Sequence, residues 1–285
     1  MGSSSANSTS SQWQRLLKNT GTWQGSFTQV SAQGQILSDV RTEVELAPSD
    51  NGLTMHQEVR RYPTDGPAQI QKLDYRSLNR ATLFFENGAF SQGSMQWGPF
   101  SSFGAELGLI SGDRRLRLVQ LFEKNELKSI SLIRERLEGT QSEARSPLKL
   151  SDLLGTWQGQ TVTQYADLRP ERYGTSQLTV EQIGPHQIRQ TICQTISPGS
   201  DRPPISSTGE LEGSRLLFRD GAQPVQVLLL PDGASSTCPI QIIPRQPIFL
   251  EAGWLLNSRA RQRLIRQYDS TGAWVSLTLV TEQKV

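Results

Sequence analysis

The chain has 285 residues, with 29 Lys and Arg against 27 Asp and Glu, so net charge makes no general case for a nucleic-acid or membrane-surface partner, only for a local patch if one forms. Hydrophobic residues at 35% and charged residues at 20% suit a globular protein with a core, and the length suits two domains. No stretch approaches the roughly 18 consecutive apolar residues of a membrane-spanning helix.

In chain order, Met1 to Ser11 reads MGSSSANSTSS and has neither a basic nor an apolar segment. A secretory leader is therefore not expected, and Ala6 fails the myristoylation pattern; residues 1–11 are read as a disordered tail and the protein as cytoplasmic. Gln12 to Lys18 predicts one or two helical turns, followed by Gly21-Thr22-Trp23-Gln24-Gly25. Val40, Thr42, Val44 and Leu46 alternate with Arg41, Glu43 and Glu45, the period of a half-buried strand. Asp50-Asn51-Gly52 marks a turn, after which Leu53, Met55, Gln57 and Val59 alternate again. Asn87-Gly88 marks a hairpin. Gly139 to Lys149 is polar with a Ser-Pro step, the mark of a loop or linker. Leu150 to Leu154 predicts another short helical turn. Ile188, Gln190, Ile192, Gln194 and Ile196 resume the alternation, and Asp220-Gly221 marks a second hairpin.

The chain also repeats itself. Gly21-Thr22-Trp23-Gln24-Gly25 recurs unchanged as Gly155-Thr156-Trp157-Gln158-Gly159, although the chain holds only six Trp. Glu106-Leu107-Gly108 corresponds to Glu251-Ala252-Gly253, and Arg115-Leu116-Arg117-Leu118-Val119 to Arg261-Gln262-Arg263-Leu264-Ile265. Leu127 to Glu135 corresponds to Trp274 to Glu282. The shared order of these segments is that of a duplicated domain. The expected organisation is a tail at 1–11, a first unit at 12–138, a linker at 139–149 and a second unit at 150–285. Many short strands with close turns predict an all-β protein of sandwich or barrel type.

A short helix leading into Gly-x-Trp on the first strand resembles the lipocalin and calycin superfamily. FGAELGLISGDRRLRLVQLF and FLEAGWLLNSRARQRLIRQYD, in tandem, are similar to an uncharacterised cyanobacterial and plant family with lipocalin-like domains, domain-of-unknown-function family 3598. The resemblance implies two tandem lipocalin-like antiparallel β-barrels, each with a short N-terminal helical turn. It implies that Trp23 and Trp157 plug the closed ends. It also implies an Arg near the last strand packed across each Trp. Arg134 or Arg136 is placed to serve in the first repeat, while the second has Thr281 and Gln283 at those positions.

A small closed barrel holds either packed side chains or one ligand cavity. Candidate ligand-binding residues are Glu106, Glu251, Trp254, Arg266 and Tyr268. Arg266 and Tyr268 share one strand face with Leu264, and Arg266-Gln267-Tyr268 is similar to the Arg-x-Tyr pair with which fatty-acid-binding proteins hold a carboxylate. Gln120 and Phe122 replace them in the first repeat. The alternative is that Arg266 faces solvent beside Arg261 and Arg263. Glu106 and Glu251 either point inward, as polar contacts or acid–base groups, or lie outside if Leu107 and Leu109, with Ala252, Trp254 and Leu256, form the inner wall. Arg117 and Arg263 are expected to pair with those Glu residues across a hairpin.

Other chemistry is not signalled. Cys193 and Cys238 give neither a disulfide framework nor a zinc cluster and are read as buried or idle thiols. His56 and His186 lack metal-ligand spacing, so no metal is expected. A His-dependent triad, which needs one of them to find partners in space, is not expected either. There is no nucleophile elbow, Walker loop or dinucleotide fingerprint, and no cofactor is expected. Trp97, Phe100 and Phe103 have no basic run beside them to track a phosphate backbone. The function expected first is binding or transport of a small hydrophobic molecule, such as an isoprenoid, fatty acid, carotenoid or tetrapyrrole. Behind it stand a cofactor-free lyase, cyclase or isomerase, as the related barrels include, and a structural scaffold.

Overall fold

The computed structural model describes residues 11–196, 200–201 and 203–285. The expected N-terminal tail lies outside them except for Ser11, which caps the first helix. Its hydroxyl accepts from the Gln14 N–H at 3.2 Å while its own N–H donates to Gln14 Oε1 at 2.8 Å, the reciprocal pair that starts a short helix. Helix α1 (Gln12–Leu16) leads into nine strands: β1 (Gly21–Ser31), β2 (Ile36–Ser49), β3 (Thr54–Tyr62), β4 (Gln69–Tyr75), β5 (Thr82–Phe84), β6 (Phe90–Gly93), β7 (Phe103–Ser111), β8 (Arg114–Glu123) and β9 (Glu126–Leu137). They form one antiparallel sheet in the order β4-β3-β2-β1-β9-β8-β7-β6-β5. Its edges β4 and β5 do not pair, so this sheet is a curled half-barrel rather than a closed one.

The second half forms a separate antiparallel sheet, and this one closes. Helix α2 (Leu150–Leu153) precedes β10 (Gly155–Tyr165), β11 (Arg172–Gln182), β12 (Gln187–Ile196), β13 (Ser200–Asp201), β14 (Ile205–Glu212), β15 (Arg215–Phe218), β16 (Val225–Leu229), β17 (Ala234–Pro239), β18 (Ile248–Asn257), β19 (Ala260–Tyr268) and β20 (Trp274–Lys284). The order runs β11-β10-β20-β19-β18-β17-β16-β15-β14-β12-β13, and β11 also pairs with β12. That last ladder, Leu178 opposite Ile192 at its middle, joins the ends into a ten-stranded barrel and removes the exposed edges an open sheet carries.

The repeated five-residue motif has a physical reason at each end. Gly21 and Gly155 take φ of +119° and +107°, where an L side chain is strained. A Cβ on Gly25 would overlap the Arg134 carbonyl on β9, and one on Gly159 would meet Val280 and Glu282 on β20. Between them, Trp23 and Trp157 are buried. Each indole N–H donates at 2.9 Å to the carbonyl four residues earlier, Asn19 and Leu153, so the helical turn is pinned under the ring that closes the sheet's end.

The largest apolar core is not inside either sheet. Leu107, Leu109, Leu116 and Leu118 on β7 and β8 pack with Leu250, Ala252, Trp254 and Leu264 on β18 and β19. The two sheets therefore lie back to back, with these outward faces forming the shared core. Polar bonds stitch the same seam: Gln120 Nε2 donates to Ser236 Oγ at 2.7 Å and Arg114 to Asp232 at 2.6 Å. The linker also packs, with the Arg145 guanidinium 4.6 Å from the Trp254 ring centroid.

Candidate functional site

Strand alternation decides what faces inward. Because Leu116, Leu118 and Leu264 belong to the seam, the intervening residues Arg115, Arg117, Arg261, Arg263, Ile265 and Gln267 turn to the concave sides. There they build the same network twice. In the first half, Glu135 accepts from Arg115 Nε at 2.7 Å and Arg117 Nη2 at 3.0 Å, and Arg117 Nη1 reaches Glu106 at 2.7 Å. In the second, Glu282 accepts from Arg261 Nε at 2.7 Å and pairs with Arg263 Nη2 at 3.0 Å, and Arg263 Nη1 reaches Glu251 at 3.2 Å.

Each network balances two guanidinium groups against two carboxylates under its tryptophan. Burial alone would raise the Glu282 carboxyl, but Arg263 and Arg261 outweigh it and hold it below the ordinary range; Glu135 is held down likewise by Arg115 and Arg117. Burial would weaken Arg263, but Glu282 and Glu251 outweigh it and keep the guanidinium more firmly protonated than usual. Arg117 follows the same logic with Glu135 and Glu106. Arg261 and Arg115, buried and each beside a second guanidinium, are shifted the other way.

The stacked cations are Arg115, 4.5 Å from the Trp23 ring centroid, and Arg261, 4.6 Å from that of Trp157. The Arg expected on the last strand is thus on the strand before it, at matched positions in both halves. Arg134 instead binds Ser26, Thr28 and Asp39. On β9 and β20 the carboxylates of Glu135 and Glu282 hold the corresponding pair of cations.

Glu106 and Glu251 both face inward, and the expected pairings with Arg117 and Arg263 form. The two sites then diverge. Glu106 Oε2 accepts from Gln92 at 2.8 Å. Thr237 stands at the corresponding place, opposite Glu251 on β17, and Glu251 Oε1 has no hydrogen-bond partner among the described residues. That carboxylate borders a cavity of about 310 Å³ walled by Ile192, Phe218, Val225, Phe249, Gln223 and Gln267. A deeper chamber of about 110 Å³ continues past Leu178 and Ile188 toward Arg261. In the first half, Phe27 lies with Arg61 4.7 Å and Arg117 5.5 Å from its centroid and, with Glu106, lines a cavity of about 520 Å³ on the concave side of the half-barrel; Thr161 stands at its position in the second and lines open volume.

The remaining sequence candidates lie elsewhere. Trp254, expected on an inner wall, is in the seam, its indole donating to the Asp232 carbonyl at 3.0 Å. Arg266 and Tyr268 do share a face with Leu264, but it is the outward one. Arg266 is fully buried and donates to Tyr268 Oη at 2.8 Å, Ala81 O at 3.2 Å and Ser94 O at 3.1 Å. Tyr268 Oη donates to Ser94 O at 3.0 Å. First-half carbonyls occupy the donors assigned to a ligand anion, so the clamp closes on the protein itself. Cys238 is buried and its thiol pushed up to about 12 by that burial, while Cys193 is half-buried and both are free. Among the described residues no group of His, Cys, Asp and Glu is arranged to hold a metal ion, and no helix is long and apolar enough to cross a membrane.

The closed barrel, the back-to-back half-barrel and the duplicated ion network define a two-sheet all-β class. The chain belongs to domain-of-unknown-function family 3598. Residues 9–140 match the N-terminal domain model of that family, and residues 144–285 match the model described as the C-terminal domain of biogenesis factor required for ATP synthase 1. The crystal structure of a family 3598 protein of unknown function from Nostoc punctiforme is 44% identical, with a TM-score of 0.89 over 97% of this chain and 100% of that one. An S-type phycobiliprotein lyase from Guillardia theta is 14% identical, with a TM-score of 0.40 over 47% of this chain and 89% of that one. No curated protein matches.

Proposed function

We propose that the second barrel binds a small molecule with an apolar body and a hydrogen-bond donor at one end. The observation that carries this reading is the uncapped Oε1 of Glu251 on the wall of a cavity of about 310 Å³, within the usual size of a small-molecule site. Ile192, Phe218 and Phe249 would take the apolar body, and Glu251 a hydroxyl or N–H group. A carboxylate at that place disfavours a fatty-acid head, so among isoprenoids, carotenoids, tetrapyrroles and fatty acids the donor-bearing ones fit better.

A second reading has its own support. The match of residues 144–285 to the C-terminal domain of an ATP synthase biogenesis factor favours an assembly role, in which an outer surface docks a subunit of that complex. The experiment that separates the two is native mass spectrometry of the protein incubated with a lipid and pigment extract from its own source, wild type beside Glu251→Leu. A retained small molecule released unchanged, and lost in the variant, supports binding. A molecule released altered supports a lyase or isomerase. No retained molecule, with purified ATP synthase subunits binding both forms equally, supports assembly.

A further inference from the structure

The outer face of the first sheet carries a second constellation, remote from the barrel cavity. Ala47, His56 and Asp74 stand opposite one another across β2, β3 and β4, and Ser49 lies two residues beyond Ala47 on the same face. Ser49 Oγ is 2.7 Å from His56 Nε2, and His56 Nδ1 is 2.6 Å from Asp74 Oδ1. A carboxylate only accepts, so Nδ1 donates to Asp74, and the tautomer with its proton there presents Nε2 as the acceptor for the Ser49 hydroxyl. That is the order nucleophile, base, orienting carboxylate. His56 at 49% and Asp74 at 69% exposed leave the row open to a substrate.

The surroundings suit acyl transfer. Ser49 pairs in register with Thr54, and Arg76 donates to Thr54 Oγ1 at 2.9 Å and Asp50 Oδ2 at 2.8 Å. A guanidinium is therefore held at the residue paired with Ser49, in the neighbourhood where negative charge would develop. The nearest other charges on β3 and β4, Glu58 and Lys72, pair with each other at 3.0 Å and do not compete for the imidazole.

We propose that Ser49, His56 and Asp74 form an acyl-transfer site that hydrolyses small, unhindered carboxylic esters. Ser49 Oγ attacks the ester carbonyl carbon as His56 Nε2 takes its proton. The tetrahedral oxyanion, facing Arg76, collapses with cleavage of the bond to the alkoxy oxygen, and His56 returns the proton to the leaving alcohol. Water, deprotonated by His56, then attacks the acyl-Ser49 carbonyl, and the acid leaves as Ser49 regains its proton. The sum is ester plus water to acid plus alcohol.

The test uses the full chain with p-nitrophenyl acetate and a fluorophosphonate probe, read by intact mass and peptide mapping. Ser49→Ala, His56→Gln and Asp74→Asn change exposed or half-exposed side chains, and near-UV circular dichroism establishes that each folds. The expected result is one adduct on Ser49, absent in Ser49→Ala, and an ester hydrolysis rate about 100-fold lower in His56→Gln. An adduct mapped to another residue, no adduct at all, or hydrolysis that survives Ser49→Ala because imidazole acts alone would each overturn the proposal.

Discussion

The guanidinium of Arg261 lies 4.6 Å from the ring centroid of Trp157 while its Nε binds Glu282 at 2.7 Å. One planar group thus joins the apolar plug to the ion network, a geometry that lysine cannot reproduce. Arg261→Met removes a cation from a network in which Arg263, Glu282 and Glu251 stay buried. Breaking a buried pair in this way costs about 3–5 kcal/mol, so urea denaturation of Arg261→Met should show a loss of that size. Arg261→Lys, which restores charge without the stack, should recover only part of it.

Acid should unfold the protein through the same carboxylates. Glu282 and Glu135 sit below their ordinary value of 4.5 in the folded chain, so above that value both states are ionised and the stabilisation is complete. As pH falls below it the unfolded chain takes up protons first, and stability is lost until the folded carboxyls protonate as well. The melting temperature should therefore be flat from neutrality down to about pH 5 and fall steeply below it. Glu135→Gln/Glu282→Gln should start lower and show a shallower acid slope. An equal slope in both would mean that other carboxylates govern the transition.

The buried pair Arg266–Tyr268 supports the contact between the sheets, and its removal should be read there. Tyr268→Phe deletes an acceptor for Arg266 and a donor to the Ser94 carbonyl, which at buried sites costs about 1–3 kcal/mol. Denaturation should detect that loss. Ligand retention by the barrel should not change, because neither side chain reaches the cavity; a parallel drop in retention would return the pair to the binding site.

Much of this was legible in sequence, and the failures lie where the local pattern carries no information. The strands around Val44, Met55 and Ile192, the turn at Asp50-Asn51-Gly52 and the hairpins at Asn87-Gly88 and Asp220-Gly221 follow from local period and turn chemistry. So does the pairing of Arg117 with Glu106 and of Arg263 with Glu251. Alternation tells which residues share a face, and Leu264, Arg266 and Tyr268 do share one. It does not tell which face is inside when both sides of a strand are covered. Here the richest apolar face, Leu107 and Leu109 with Trp254, is buried against the other sheet, so an apolar-inward assumption inverts Trp254, Arg266 and Tyr268. The open edge at β4 left no mark in the local pattern. Ser49, His56 and Asp74 were equally hidden, because their meeting depends on the register of three strands rather than on spacing along one.

The two halves supply their own control for the binding site. Gln92 caps Glu106 across the β6–β7 ladder, and Thr237 leaves Glu251 uncapped across β17–β18. Thr237→Gln should place an amide on the free carboxylate oxygen and make the second half resemble the first. The added side chain both takes the hydrogen bond offered to a ligand and fills part of the space in front of it. A lost hydrogen bond of up to about 1.5 kcal/mol predicts binding weakened by roughly tenfold, before any steric contribution. Isothermal titration with a donor-bearing ligand retained by the wild type measures this directly. Unchanged affinity in Thr237→Gln, with circular dichroism unaltered, would show that the ligand does not use Glu251 and would move the site to another part of the barrel wall.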